Sequence, residues 1–502
     1  MHDVLSALTH LFEPWPLFLL VLGTSLGVTV GAVPGLTGAM LIALTLPLTF
    51  QMSDPQDAMV LLVSMYVGSI SGGLISATLL RMPGTPAAMM TTLDGYPMAQ
   101  KGKPGRALGL GISSSFFGGM VSWLFLLLLA RPMSEISILL GKMDYFALVV
   151  MSLVLIASVS GKHLARGILS GFLGLLVALP GTSPATGEVR LTFGFSELDD
   201  GLKLLPVLIG LFAVGQIIND VLHINQKPKP LSFSSGGIFL TLSDLRYHLV
   251  NLVRSSLIGT WVGILPGIGA NVGSALAYTA ARNFSRSPER FGHGSEEGVV
   301  ASEAANNATV GGALIPLVSM GIPGSVIDAI LLSAMVIQGL QPGLQLFQEN
   351  PGIVYTIIFT TLFSNVFMFV FMLATVRGLS RLMYIPRAYL LPVILVFCVI
   401  GSYTFANRWF DVWVMLGFGV VGFLLDRLKI PLAPFVIGFV LAGIAEENLG
   451  AGLMLSGGSY WPLVDPRRPA VYFLLLSVIM LFWPLYRAWC RTRTENVQTN
   501  VV

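Results

Sequence analysis

Four short breaks carry most of the chemistry in this sequence. Pro34-Gly35-Leu36-Thr37-Gly38 and Pro266-Gly267-Ile268-Gly269-Ala270-Asn271 interrupt two long apolar runs, and Pro83-Gly84-Thr85 and Pro323-Gly324-Ser325 interrupt two more. Proline removes a backbone donor and pushes the residue before it out of a helix, while glycine accepts backbone angles that other residues avoid. Each break therefore frees carbonyls and N–H groups. Half-helix N-termini attract anions, and half-helix C-termini with open carbonyls attract Na+. Hydroxyls and amides stand beside the breaks: Thr37, Ser69, Ser71, Thr78 and Thr85 in one half, Asn271, Asn306, Asn307, Thr309, Ser319 and Ser325 in the other. Such groups ligate Na+ or hydrogen-bond a carboxylate. The expected substrate-binding set is Pro34, Gly35, Leu36, Thr37, Gly38, Pro83, Gly84, Thr85, Pro266, Gly267, Gly269, Asn271, Pro323, Gly324 and Ser325. The expected ion-coupling set is Thr37, Ser71, Asn271, Asn306 and Asn307. Against both stands a plainer reading, in which Pro kinks and Gly faces pack helices and hydroxyls bond the preceding turn.

Charge at membrane depth is a functional signal by default. Arg81, Asp94, Glu303 and Asp328 are the few ionisable residues expected at membrane depth. Arg81 is the cation nearest a break and a potential partner for an anionic substrate, while Glu303 and Asp328 are alternative carriers of a coupling proton. Near the membrane face, Arg81 and Asp94 would instead reach out to solvent, and Glu303 would belong to a solvated helix start. No metalloprotease helix, phosphate-binding loop or dinucleotide fingerprint is present, so an enzyme is not expected. No resident cofactor or metal is expected either. Cys398 and Cys490 have settings that give no reason to pair them.

The elements that must hold these groups are membrane helices. Of 502 residues 54% are hydrophobic and 11% charged, against roughly 25% charged in a soluble domain. So few charges cannot cover a soluble fold, and charge-free runs long enough to span a bilayer recur along the chain. With 28 Lys+Arg against 25 Asp+Glu there is no basic footprint for a nucleic acid. Loops rich in Lys and Arg alternate with loops that are acidic or balanced, and the basic ones are assigned to the cytoplasm. One crossing between each outer and inner loop gives about 11, with the N-terminus outside and the C-terminus inside. The runs 14–50 and 249–281 remain, each with both ends on one side, and read as re-entrant hairpins; 14–50 also has room for two short spans.

The two halves of the chain repeat each other. Gly27-x-x-x-Gly31-x-x-Pro34-Gly35-Leu36 recurs as Gly259-x-x-x-Gly263-x-x-Pro266-Gly267-Ile268, and in each half a Gly-Gly pair (Gly72-Gly73, Gly311-Gly312) and a Pro-Gly-Thr/Ser follow. Five crossings separate the copies, so the second enters from the opposite side. Paired, Gly/Pro-interrupted inverted repeats mark a secondary transporter with its site at the midplane. The expected fold is an all-α polytopic membrane protein of two inverted-topology repeats. The first, 1–225, holds hairpin 14–50, broken helix 58–96 and scaffold helices 107–222. A cytoplasmic linker, 226–243, leads to the second, 244–490, with hairpin 249–281, broken helix 297–340 and scaffold helices 350–486; a tail, 491–502, follows. Ser243-Asp244 is expected to cap a short surface helix over 244–254. A passive anion channel and an intramembrane enzyme acting on lipid-linked substrates are the competing readings.

Gly31-Ala32-Val33-Pro34-Gly35-Leu36-Thr37-Gly38, Met82-Pro83-Gly84-Thr85-Pro86, Glu303-Ala304-Ala305-Asn306-Asn307-Ala308 and Gly321-Ile322-Pro323-Gly324-Ser325 together resemble the large membrane subunit of the tripartite tricarboxylate transporter family. The resemblance implies a permease of the bacterial inner membrane, N-terminus periplasmic, that imports organic di- or tricarboxylates with Na+ or H+. It also implies two partners, a small membrane subunit of about four helices and a periplasmic solute-binding protein.

Overall fold

The structure, a computed structural model, describes the chain apart from residues 1, 34, 83–84, 160–163, 223–230, 232–235, 267–268, 383–386 and 483–502. Pro34, Pro83, Gly84 and Gly267 of the expected site lie outside the described residues, as do the tail 491–502 and half of the linker 226–243.

Helices dominate. In the first half α1 (His2–Leu11), α2 (Pro14–Ala32), α3 (Gly38–Thr49), α4 (Pro55–Leu80), α5 (Met89–Gln100), α6 (Pro104–Ser137), α7 (Lys142–Val159) and α8 (Leu164–Val177) lead to a small antiparallel ribbon, β1 (Gly181–Thr182) with β2 (Val189–Arg190). Then α9 (Leu204–Leu208) passes through a π-helical stretch into α10 (Gly215–Leu222). In the second half come α11 (Leu242–Ile264), α12 (Gly269–Phe284), α13 (Glu296–Met320), α14 (Val326–Ile337), α15 (Leu344–Glu349), α16 (Pro351–Leu382), α17 (Arg387–Ala406), α18 (Trp409–Arg427) and α19 (Leu432–Leu455). Among the described residues seven helices are long and apolar enough to cross a membrane. The chain is a polytopic membrane protein, with one short ribbon added to the expected helices.

Local sequence explains where the central helices start and stop. Asp54 caps α4 by accepting from Gln56 N at 2.8 Å, with Pro55 in the first turn, where a missing N–H costs nothing. Ser295 caps α13 in the same way, accepting from Gly298 N at 3.3 Å. Both helices end on a left-handed residue, Arg81 (φ 56°) and Gly321 (φ 70°). Glycine takes that conformation freely; for arginine it costs about 1–2 kcal/mol.

Two compact units divide the chain, Met1–Ser137 with Lys203–Leu424 and Ile138–Leu202 with Leu425–Val502. Within the first, α2 packs along α4 and α11 along α13 through glycines that let backbones approach. A Cβ on Gly27 would stand 2.5 Å from Met65 O and one on Gly263 2.6 Å from Thr309 O; Gly31 and Gly259 meet Ser69 O and Ala305 O at least as closely. Gly27 thus faces Met65 as Gly259 faces Ala305, and Gly31 faces Ser69 as Gly263 faces Thr309. This register sets Gly72 opposite Gly312, one residue off the alignment of the two Gly-Gly pairs, and brings Pro83-Gly84-Thr85 onto Pro323-Gly324-Ser325 without a gap. The most apolar stretch of α4 is entirely buried. Also in the first unit, α18 closes on the π-helical segment, with Gly422 against Leu211 O. In the second unit α8 and α19 meet through Gly171 and Gly174 against Gly438 and Phe435. There Glu446 holds both Arg190 and Ser183, each at 2.5 Å, tying the ribbon to α19.

The surface helix expected at 244–254 is instead the first part of α11, which runs unbroken from Leu242 to Ile264. Its cap is Thr241, not Ser243: Thr241 Oγ1 accepts from Asp244 N while the Asp244 carboxylate accepts from Thr241 N, a closed capping box. Arg246, His248 and Arg254 interrupt the apolar pattern there, so hydropathy alone stops short of the helix.

Candidate functional site

The polar centre of the first unit is assembled on α4. Ser71 Oγ donates to Asn307 Oδ1 at 2.6 Å, joining α4 to α13, and Asn307 Nδ2 donates back to Glu303 O at 3.2 Å. Both residues are buried. Two residues earlier on α4, Ser69 supports the start of α3: a Cβ on Gly38 would collide with Ser69 Oγ and touch Ile327 at 3.4 Å. Thr37 caps α3 by accepting from Met40 N at 3.2 Å. Three residues before Ser69, Tyr66 O–H lies 3.4 Å from Ser325 Oγ, the N-cap of α14. The tip of the first hairpin, the middle of α4 and the start of α14 therefore meet. Pro323 and Gly324 are buried behind them, Gly324 against Ala313 and Gly263 O. Gly35 (φ 93°) and Leu36 are half-buried at the hairpin tip, where a Cβ on Gly35 would press on the buried Asp220 carboxylate of α10 at 2.8 Å.

The other break is built differently. Thr85 is buried against Gly73, and its Oγ1 has no hydrogen-bond partner among the described residues; nor has Thr78 Oγ1. The turn Pro86–Ala88 packs against α12, which begins at Gly269 (φ 69°). Pro266 is buried, but Asn271 is exposed and is not brought to the Ser71–Asn307 junction. Arg81 is exposed too, its guanidinium 5.8 Å from the centre of the Tyr96 ring.

Buried carboxylates divide by partner. Asp94 is fully enclosed; its Oδ1 accepts from the N–H groups of Gly292, Gly294 and Ser295 at 2.8–2.9 Å and its Oδ2 from Tyr278 O–H at 2.8 Å. It pins the loop that starts α13. Glu303, also fully enclosed, accepts from Thr91 Oγ1 at 2.5 Å and Ser115 Oγ at 3.1 Å where α5, α6 and α13 cross, so it is no solvated helix start. The Asn306 amide lies beside it with neither atom in hydrogen-bond geometry. Asp328, in the first turn of α14, is fully buried with neither oxygen bonded, although Tyr66 and Ser325 are its polar neighbours. Among the described residues no Lys or Arg is buried, so no fixed cation balances these carboxylates in the interior. The organised cation stands at the helix starts: Arg106 reaches Glu296 through two bonds (3.0 and 2.9 Å) and Asp244 at 2.7 Å, with His248 3.4 Å from Glu296. Arg106 holds Asp244 well below the ordinary carboxylate range, and the bonds from His248 and Arg106 hold Glu296 down at about 2.

Sequence reasoning found Ser71, Asn307 and Ser325 beside the breaks but missed Tyr66, Thr91, Ser115 and Asp220. A lone tyrosine in the apolar run 58–80 is a usable signal, since a hydroxyl placed there needs a partner. The other three become visible only once helices far apart in sequence are packed together.

The sequence profile of the tripartite tricarboxylate transporter TctA family matches residues 17–437. An uncharacterised 52.8 kDa protein in the TAR-I ttuC' 3' region of Agrobacterium vitis is 33% identical over 462 residues, spanning 91% of this chain and 92% of that one. A second uncharacterised protein, in the TAR-II ttuC' 3' region of Agrobacterium vitis, is 34% identical over 232 residues, 46% of this chain and 96% of that one. No solved structure matches.

Proposed function

The chain belongs to the tripartite tricarboxylate transporter TctA family, a family of transporters, and from that premise we propose that it is the large permease subunit of a binding-protein-dependent importer of organic di- or tricarboxylates. It works with a small membrane subunit and a periplasmic solute-binding protein in the inner membrane, its N-terminus periplasmic and its C-terminus cytoplasmic. A cation gradient, Na+ first and H+ second, drives uptake by alternating access between two inverted repeats.

The observation that carries this reading is the Ser71–Asn307 junction, where the central helices of both halves bring polar side chains together in a dry interior beside the starts of α3 and α14. Half-helix N-termini suit the substrate carboxylates, and the hydroxyls, amides and freed carbonyls suit Na+. A multiply charged anion in such a place costs several kcal/mol unless it is compensated. With no buried Lys or Arg among the described residues, co-bound cations supply the compensation. Uptake of labelled di- and tricarboxylates into proteoliposomes holding all three components, with and without an inward Na+ gradient, tests the reading. Concentrative, gradient-dependent uptake is expected. Uptake that only equilibrates under every gradient would make the protein a passive pathway.

A further inference from the structure

We infer that Asp328 supplies the negative charge of the cation site that couples uptake. The inference rests on the symport reading above and singles out one residue within it. Three observations bear on it. Asp328 is fully buried, and neither carboxylate oxygen has a hydrogen-bond partner among the described residues. The other deeply buried carboxylates of the same unit are each held: Asp94 by three N–H groups and a phenol, Asp220 by the Gln216 amide, Glu303 by two hydroxyls, Asp411 by Arg408. Finally, the same helix-start motif is closed elsewhere and open here. Thr241 and Asp244 form both bonds of a capping box, whereas Ser325 accepts from Asp328 N at 3.3 Å and the Asp328 carboxylate has the Ser325 N–H and the Tyr66 hydroxyl beside it with neither in hydrogen-bond geometry.

An ionised carboxylate left bare in low dielectric is strongly disfavoured, and the α14 dipole offsets only part of that cost. A monovalent cation is the direct remedy, whether a proton on the carboxylate or Na+ shared with neighbouring oxygens. Ser325 Oγ and Tyr66 O–H are the oxygens at hand, 3.4 Å from each other. The elements packed on α14 include α3, α4 and α13. Of their titratable groups it is Tyr66 that faces the carboxylate, and no Lys or Arg does. Tyr66 and Ser71 are five residues apart on one helix, about 7.5 Å along its axis. The Asp328 site and the Asn307 junction thus share α4 as a wall, and cation and substrate are expected to bind with mutual reinforcement, reciprocal by linkage.

The complete three-component system in proteoliposomes tests this with wild type and Asp328→Asn. Asp328→Asn is expected to lose at least tenfold of gradient-driven accumulation, and whatever counterflow it retains is expected no longer to respond to Na+ or pH. Accumulation at the wild-type level in Asp328→Asn overturns the inference; a wild type indifferent to both Na+ and H+ gradients overturns the symport reading itself. A second measurement needs no variant. Dicyclohexylcarbodiimide, which attacks protonated buried carboxyls, is expected to label Asp328 in wild-type membranes. Protection by Na+ assigns the site to Na+; insensitivity to Na+ with loss of labelling as pH rises assigns it to the proton. Labelling at Glu303 instead, or labelling of Asp328 that responds to neither ion, overturns the assignment.

Discussion

After α4 the chain turns at Arg81 and re-forms only a single 3-10 turn, Pro86–Ala88, before α5; after α13 it turns at Gly321, and α14 starts at once with Ser325 as its cap. The glycine contacts that seat α4 on α2 and α13 on α11 are the same. The register they set puts Ala88 of the first half where Asp328 stands in the second, both fully buried. The two halves share this packing but not the charge, so the ion site proposed at Asp328 would draw its charge from one half alone.

Moving the charge is the strongest way to break that comparison. Ala88→Asp places a carboxylate in the first break, where Thr85, three residues before it, is buried and its hydroxyl makes no capping bond, and is expected to destabilise the protein by about 3 kcal/mol or more. Thermal unfolding in detergent checks this; a variant as stable as wild type would mean that either break can hold a charge. Next in size is the junction between the halves. Asn307→Ala leaves Ser71 without its Asn307 acceptor, and a lost buried bond of about 1–3 kcal/mol predicts a loss of roughly 5- to 150-fold in Na+-dependent uptake. Ser158→Ala, whose hydroxyl bonds only its own helix at Leu155 O, is the control expected to change little.

Smaller effects separate backbone from charge at the two helix ends. Arg81→Gly is expected to raise stability by up to about 1 kcal/mol and Gly321→Ala to lower it by a similar amount, because both positions are left-handed. A rise in KM for substrate in Arg81→Gly would instead assign the guanidinium to the anion. The smallest effect concerns pH at the helix starts. Asp244 and Glu296 titrate lower in the folded state than unfolded, so their contribution is complete above the ordinary carboxylate range and fades as pH falls toward about 2. Unfolding temperature should therefore drop between pH 5 and pH 3, and Arg106→Gln should flatten that part of the curve.

The breaks themselves were legible because Pro and Gly act locally: the ends of α4 and α13 fall within a few residues of the Pro-Gly motifs. The state of each charge was not legible. Asp94, Glu303 and Asp328 look alike as single acids in apolar surroundings, and what separates them is a loop from 292–295, two hydroxyls from α5 and α6, and the lack of either. Asn271 sat in a matching motif yet is exposed, because the motif fixes the turn and not the direction of a side chain one helical turn on. The start of α11 was misjudged for the opposite reason, since charged residues on a membrane helix hide its continuation.

The division of the chain into units has a consequence in time. α8 closes on α19, with Gly171 and Gly174 seated on Gly438 and Phe435. A ribosome that has released Val177 must still translate as far as Leu432 before the partner exists, which at about 5–20 residues per second takes roughly 10–50 s. For that interval the glycine face of α8 waits without its partner. The second unit is therefore completed only near the end of synthesis, and a nascent chain halted after its first half carries an interface that only its own missing half can close.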